Sequence, residues 1–242
     1  MKALLRDVLR RPHLHRPTDS VRLALSQLQA FEAVLNRHQR SFQRCSSLLD
    51  FGCGDGRLTR HLFRVAPQTR IAGCDVSAEA VATCQRRHPS GLFVKNAPTP
   101  PLLFSDAQFD LIYSYSVFTH FSESNHKAWL RELSRVLQPG GVMVHTVHSH
   151  VYVRRARMFS HDWIVKNKPS RYLEGFLQST PDYYYVMNDA ALPEYGLTVI
   201  SKEYLVATWP QETGLTLLEY DEAAIEAYPE GCQDIVILEK AR

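Results

Sequence analysis

The stretch Ser47-Leu-Leu-Asp-Phe-Gly-Cys-Gly-Asp-Gly-Arg-Leu-Thr-Arg-His-Leu62 decides how this chain folds. An apolar run, Leu48 and Leu49, ends in Asp50. Glycines follow at alternate positions, Gly52, Gly54 and Gly56, and then Leu58, Leu62 and Val65 recur with helical spacing. The order reads as strand, tight turn, helix. A chain that leaves a strand and enters a helix over a ligand has to reach positive φ, and the ligand has to approach the backbone with no Cβ in between, which glycine allows. A dinucleotide fingerprint places a further glycine three residues after its second, for close packing of helix on strand. Here Arg57 holds that position. Asp50 and Asp55 flank the turn and no lysine lies within it, a pattern suited to a cationic ligand rather than a pyrophosphate.

The 242 residues, 45% hydrophobic and 22% charged, suffice for a full core and predict one α/β domain with a modest insertion. A net charge of +3 is too small to imply nucleic acid by itself. Five cysteines, Cys45, Cys53, Cys74, Cys84 and Cys232, are scattered and form no Cys-x-x-Cys pair, so neither a disulfide framework nor a zinc site is expected, and a reducing cytoplasm fits. No apolar run approaches the roughly 20 residues that span a bilayer, so no membrane is expected as a partner. The start, Met1 to Pro12, with Leu4, Leu5, Val8 and Leu9 on one face, reads as a short docking helix.

Thr18 or Asp19 can cap a helix with an apolar stripe of Val21, Leu25, Leu28, Phe31 and Leu35. After the first strand, at residues 47 to 51, a helix runs from Gly56 to about Val65 and stops before Pro67. A second strand, Arg70 to Asp75, ends in an acid about 20 residues past the turn, where a ribose-binding carboxylate belongs. Val76 follows and can lie on an adenine. Ser77 caps a helix over 78 to 87, and Leu92 to Lys95 reads as strand three. Phe109 begins strand four, whose exit carries Tyr113, Tyr115, Ser116 and His120. Ser122 or Ser124 caps the next helix, and Gln138-Pro-Gly-Gly141 turns it into strand five, Val142 to His148. From Ser149 to Tyr195 aromatic and basic residues mix without clean periodicity, and beyond it a helix at 201 to 208 and strands at 215 to 220 and 234 to 239 are expected.

The pattern Asp-x-Gly-x-Gly-x-Gly, with Asp75, the strand-four exit and the Leu-x-Pro-Gly-Gly turn, resembles the class I S-adenosylmethionine-dependent methyltransferases. The matched segments cover about residues 47 to 148. The resemblance implies an α/β fold: a Rossmann-like, doubly wound, seven-stranded, mostly parallel sheet with one antiparallel strand, plus an inserted substrate lid. It divides the chain into an N-terminal helical cap (1–40), a cofactor-binding core (41–148), the lid (149–195) and the C-terminal part of the core sheet (196–242). It implies S-adenosylmethionine as cofactor, held by Asp50, Phe51, Gly52, Cys53, Gly54, Asp75, Val76, Asn96, Ala97 and Tyr115. The family commonly has a Gly-Asp or similar pair at the adenine, and Asn96-Ala97 departs from it, so only the Asn96 side chain carries over.

Methyl transfer is an in-line displacement at an activated carbon, so the protein mainly aligns the reactants and excludes water. A base is needed only for a hydroxyl or a protonated amine, and histidine suits that role. Location ranks His120 first and His148 second. A metal gathered by His145, His148, His150, His161 and Asp162 lacks a ligand-like spacing, so none is expected. The basic, aromatic lid, with Tyr152, Arg154 and Trp163 as substrate residues, points to a small-molecule acceptor with an anionic or aromatic part. No recognisable nucleic-acid module accompanies the core. The rivals are a nicotinamide-dependent oxidoreductase, against which Arg57 and the lack of a Tyr-x-x-x-Lys pair count, and an inactive scaffold, against which Gly52, Gly54 and Asp75 together count.

Overall fold

The computed structural model describes residues 17–153, 181–187, 194–226 and 232–242. The expected docking helix at the start, and Arg154, Trp163, His161 and Asp162, lie outside them. Five parallel strands, β1 (Ser47–Phe51), β2 (Arg70–Asp75), β3 (Leu92–Lys95), β4 (Phe109–Ser114) and β5 (Leu137–Val147), are joined by β8 (Thr216–Glu226) and β9 (Cys232–Glu239). They form one seven-stranded sheet of order β3-β2-β1-β4-β5-β9-β8, in which β9 runs antiparallel to both neighbours. The antiparallel strand is therefore the chain's last, as expected.

Successive residues of a strand face opposite sides of a sheet, and when both sides are covered the strand is apolar throughout. Leu48, Leu111, Val142 and Ile237 face one core, and Leu49, Ile112, Met143 and Val236 the other. The first core is closed by α1 (Pro17–Arg37) and α2 (Thr59–Val65). The second is closed by α4 (Glu123–Val136) and α5 (Lys202–Thr213), with Trp129 and Trp209 fully buried, while α3 (Ala78–Arg87) covers the β2–β3 end. Ser77 and Ser122 cap α3 and α4 by accepting from Ala80 N and Asn125 N at 3.2 and 3.3 Å.

Several elements differ from expectation, each for a local reason. Helix α2 begins three residues late because Gly56 takes φ +83°, outside the helical range. In α1 the buried face runs through Ala24, Leu28, Phe31, Val34 and Leu35, and Leu25 is 41% exposed. Helix α5 continues through Pro210 to Gly214, whose left-handed φ of +68° closes it, because Leu205 and Trp209 anchor that face in the core. The Pro139-Gly-Gly turn merges into β5: Gly140 N donates to Lys240 O and Lys240 N to Gly141 O, both at 2.9 Å, and Lys240 Nζ donates to Ser134 O and Leu137 O at the end of α4. Strands β6 (Tyr183–Met187) and β7 (Gly196–Ile200) pair with each other in a separate two-stranded sheet. The stretch 196–200 is thus no part of the core sheet, whose C-terminal share begins at β8. Among the described residues no helix is long and apolar enough to cross a membrane.

Two buried histidines lie in the second core. Tyr183 Oη donates to Phe121 O at 3.0 Å and so accepts from His126 Nδ1 at 3.1 Å, while His145 Nδ1 pairs with Ser114 Oγ at 2.8 Å. Burial pulls both imidazoles down to about 3, from 6.5. Below pH 6.5 the unfolded chain takes up protons that the folded chain refuses, so the stability from these groups is complete above pH 6.5 and is lost as pH falls towards 3. Asp50, pushed up to about 6 from 3.8, opposes this between those two values with one proton against two. Urea unfolding is expected to show lower stability at pH 5 than at pH 7.5, and the imidazole NMR signals of His126 and His145 are expected not to move over that range. Titration of either near 6.5 refutes the buried neutral pair.

Candidate active site

The turn after β1 is fastened to the tip of β2. Gly52 N and Cys53 N donate to Cys74 O at 2.9 and 3.0 Å, and Gly54 N donates to Asp75 Oδ2 at 2.9 Å. Ser77 N donates to Asp75 Oδ1 at 2.8 Å. A carboxylate offers about four acceptor positions, so two remain for outside donors such as a pair of hydroxyls. Gly54 has φ +54° and a Cβ there would meet nothing within 4 Å, so the backbone is open to close approach. Val76, beside Asp75, is 47% exposed. Asn96 N donates to Asp75 O at 3.0 Å and Asn96 Nδ2 to Ala97 O at 2.7 Å, which leaves Asn96 Oδ1 buried without a partner. An unpaired buried acceptor beside a carboxylate that can take two hydroxyls fits the amino group and ribose of an adenosine. The adenosyl end of S-adenosylmethionine fits these residues.

Other expected contacts point elsewhere. Asp50 is buried beneath the turn and accepts from Thr59 Oγ1 and Tyr113 Oη. Burial pushes its carboxyl up to about 6, against those two hydrogen bonds, and the charge of Asp75 adds to the rise. The Phe51 ring packs on Trp129, centroids 4.8 Å apart, so only its backbone faces the turn. The Cys53 thiol is buried and directed at Gly54 O, at 3.6 Å. Ala97 is exposed. Asp55 also lies on the surface, 3.5 Å from Arg87.

Beyond β4 the chain gathers the acceptor side. Tyr115 Oη accepts from Gln27 Nε2 at 2.7 Å, and the Arg57 guanidinium lies 5.3 Å from the Tyr115 ring centroid. Burial lowers the Arg57 pKa, and its Nη1 has no partner. Ser116, at φ +59°, donates its N–H to Thr146 Oγ1 at 2.7 Å and receives Gln233 Nε2 on its hydroxyl at 3.0 Å. The same Gln233 Nε2 lies 3.2 Å from His148 Nε2. His148 is buried, its ring stacked on Tyr152 at 3.7 Å, and burial holds it well below the ordinary histidine range, with His120 adding to the effect. The fold thus brings both candidate histidines to one edge of the sheet. His120 Nδ1 donates to Gly196 O at 2.8 Å, which leaves the ring's lone pair on Nε2, and its face stacks on Tyr195 at 4.7 Å. Burial and the charge of Asp75 raise the Tyr195 phenol.

Gln27, Arg57, Gln233 and Tyr195 were not foreseen. Gln27 carried a readable signal, a polar residue on the buried face of α1; the others are brought in by pairings distant in sequence. Among the described residues no group of three or more His, Cys, Asp or Glu is placed to hold a metal.

Comparison with known proteins identifies the fold and its central domain. Residues 48–141 match the family model of a methyltransferase domain. Probable tRNA methyltransferase 9B of Homo sapiens is 30% identical over 138 residues, covering 56% of this chain and 29% of that protein. Fatty-acid O-methyltransferase of Mycolicibacterium smegmatis is 30% identical over 105 residues, 41% and 36% respectively. The matches thus span about a third of those relatives' lengths. Among solved structures, magnesium protoporphyrin IX methyltransferase from Synechocystis aligns with a TM-score of 0.62 at 11% identity, over 98% of this chain and 93% of that one. The 1,6-didemethyltoxoflavin-N1-methyltransferase of Burkholderia thailandensis aligns at 0.60 and 16% identity, over 100% and 89%, and both show the shared fold. Residues 48–141 thus match a methyltransferase domain, within the fold shared by solved class I S-adenosylmethionine-dependent methyltransferases.

Proposed function

We propose that the chain transfers the methyl group of S-adenosylmethionine to an oxygen or nitrogen of a small-molecule acceptor, with His120 as the base. The observation that carries this reading is the fixed tautomer of His120: with Nδ1–H committed to Gly196 O, the basic nitrogen is Nε2, on a ring at the strand edge beside the cofactor cradle. When bound, S-adenosylmethionine supplies a methyl carbon activated by a sulfonium. Asp75 takes the two ribose hydroxyls, Gly52 and Gly54 let the ligand reach the backbone, Val76 and Asn96 Oδ1 meet the adenine, and Tyr115 borders the methionine end. His120 Nε2 removes the proton of the attacking hydroxyl or ammonium, and Tyr195 on its face excludes water.

The acceptor floor is polar and neutral: Ser116, Thr146, Gln233 and a His148 kept uncharged by burial. His148, already met by the Gln233 amide, positions the acceptor rather than serving as base. The stretch 149–195 is the acceptor cover in this reading, with Tyr152, Arg154 and Trp163 as its contacts. The docking of β7 across the β4 and β5 exits, through Thr198 N to Thr119 O and Ile200 N to His148 O, both at 2.9 Å, supports it. A nucleic-acid acceptor is the second reading, favoured by the similarity to a probable tRNA methyltransferase.

Asp75→Ala is expected to weaken adenosylhomocysteine binding at least tenfold by titration calorimetry, since a hydrogen bond to a charged group contributes about 1.5–3 kcal/mol and 1.4 kcal/mol is tenfold. Unchanged affinity refutes the ribose assignment. With a methyl-labelled donor, a small-molecule cell extract and total tRNA as separate acceptors, label is expected in the extract, and label in tRNA decides for the second reading. His120→Gln is expected to slow that transfer about 10²–10⁴-fold while leaving adenosylhomocysteine affinity intact. An unaffected rate removes His120 as the base.

A further inference from the structure

The glycine turn carries a thiol, Cys53, and the helix packed beneath it carries another, Cys84. Both point at one atom: Cys53 Sγ lies 3.6 Å and Cys84 Sγ 3.3 Å from Gly54 O. The two thiols therefore converge on one carbonyl. The Cys84 thiol also presses on the turn's last glycine, where a Cβ on Gly56 would come within 3.1 Å of Sγ. The surroundings, Val81 and Phe93, are apolar, and neither thiol has a role in the methyl transfer proposed above.

We propose that Cys53 and Cys84 are a reversible oxidation site, in which a disulfide between turn and helix switches off binding at the cradle. With a peroxide as oxidant, one thiolate attacks the O–O bond, which breaks to leave a sulfenic acid and release water. The second thiol attacks that sulfur, the S–O bond breaks, and a second water leaves with the remaining thiol proton. Two thiols and one peroxide thus give one disulfide and two waters. Cys84 supplies the first thiolate: the neighbouring Cys53 thiol lowers its pKa, while the same proximity, with burial, pushes Cys53 up.

The bond acts on the cradle through Gly54. A disulfide needs sulfurs about 2.05 Å apart and removes both S–H donors from Gly54 O. The peptide that bears this carbonyl follows directly on Gly54, whose own N–H holds Asp75 Oδ2. Drawing Cys53 towards α3 therefore disturbs the carboxylate that the cofactor reading assigns to ribose, and the gating part of the proposal rests on that reading. By linkage, a ligand that holds the turn in place slows oxidation to the same degree that oxidation weakens the ligand.

The test uses the full chain treated with hydrogen peroxide, then thiol blocking and peptide mapping without reductant. A Cys53–Cys84 linked peptide, two hydrogens lighter than the separate thiols, is expected to form, to be reversed by dithiothreitol, and to be retarded by adenosylhomocysteine. Adenosylhomocysteine is expected to bind the oxidised chain at least tenfold more weakly than the reduced chain. C84S and C84A are expected to form no such link and to keep their affinity under peroxide. Other pairings, or over-oxidation of both thiols without a link, overturn the site. A link that leaves affinity unchanged overturns the gating. A reduced chain that fails to bind adenosylhomocysteine overturns the cofactor reading instead, and the mapped link then stands without it.

Discussion

The hydrogen bond from Gly54 N to Asp75 Oδ2 joins the tips of two parallel strands at the point where both enter their loops. It exists only because β1 and β2 lie side by side in the register Asp50 to Gly73 and Phe51 to Cys74, which brings both chain exits to one edge of the sheet. A slip of one residue would turn Leu48 and Leu49 to the wrong cores and carry the turn away from the acid. Asn96 N, bonded to Asp75 O, adds the tip of β3 to the same knot. Two loops thus depend on the carboxylate of one acid, which serves the backbone donors Gly54 N and Ser77 N, and the third is tied to the same residue through its backbone carbonyl.

Beneath that knot the fold keeps a second acid for a different purpose. Asp50 and Asp75 both end strands and looked alike as ligand contacts in the sequence. Asp50 is closed off by Thr59 and Tyr113, with Phe31 and Phe42 packed edge-on against the Tyr113 ring at 5.7 and 5.6 Å. It binds the start of α2 to the middle of the sheet, where loss of either hydroxyl would leave a buried carboxylate short of donors. Which of two strand-end acids turns inward depends on residues 9 and 63 positions away, and no local pattern records that.

What was legible follows the same division. The antiparallel direction of the final strand came from the family resemblance, whereas strands β1 to β4 and the caps Ser77 and Ser122 all rest on short-range signals: apolar runs, capping serines, prolines and glycines at set offsets. The cradle residues Gly52, Gly54 and Asp75 belong with them, because the turn and the acid sit at strand ends that the sequence marks. Arg57, Gln233 and Tyr195 do not, since each meets its site partner by a contact across the tertiary fold. The β6–β7 pair escaped for a further reason. Tyr183 to Val186 are half-buried on both faces, which erases the alternation by which a strand is read.

The placement of β7 holds the ring of the proposed base in order. Gly196 N donates to His120 O at 2.7 Å and Gly196 O receives His120 Nδ1 at 2.8 Å, so one glycine holds both the backbone and the ring of the same histidine. A side chain at 196 has no room, because a Cβ there would meet Val186 O at 2.2 Å and the Tyr185 ring at 2.6 Å. The pairing of β6 with β7 therefore presses on the residue that orients His120. Through that glycine the β6–β7 pair sets the tautomer and aim of the ring, which ties the geometry of the proposed base to this small sheet.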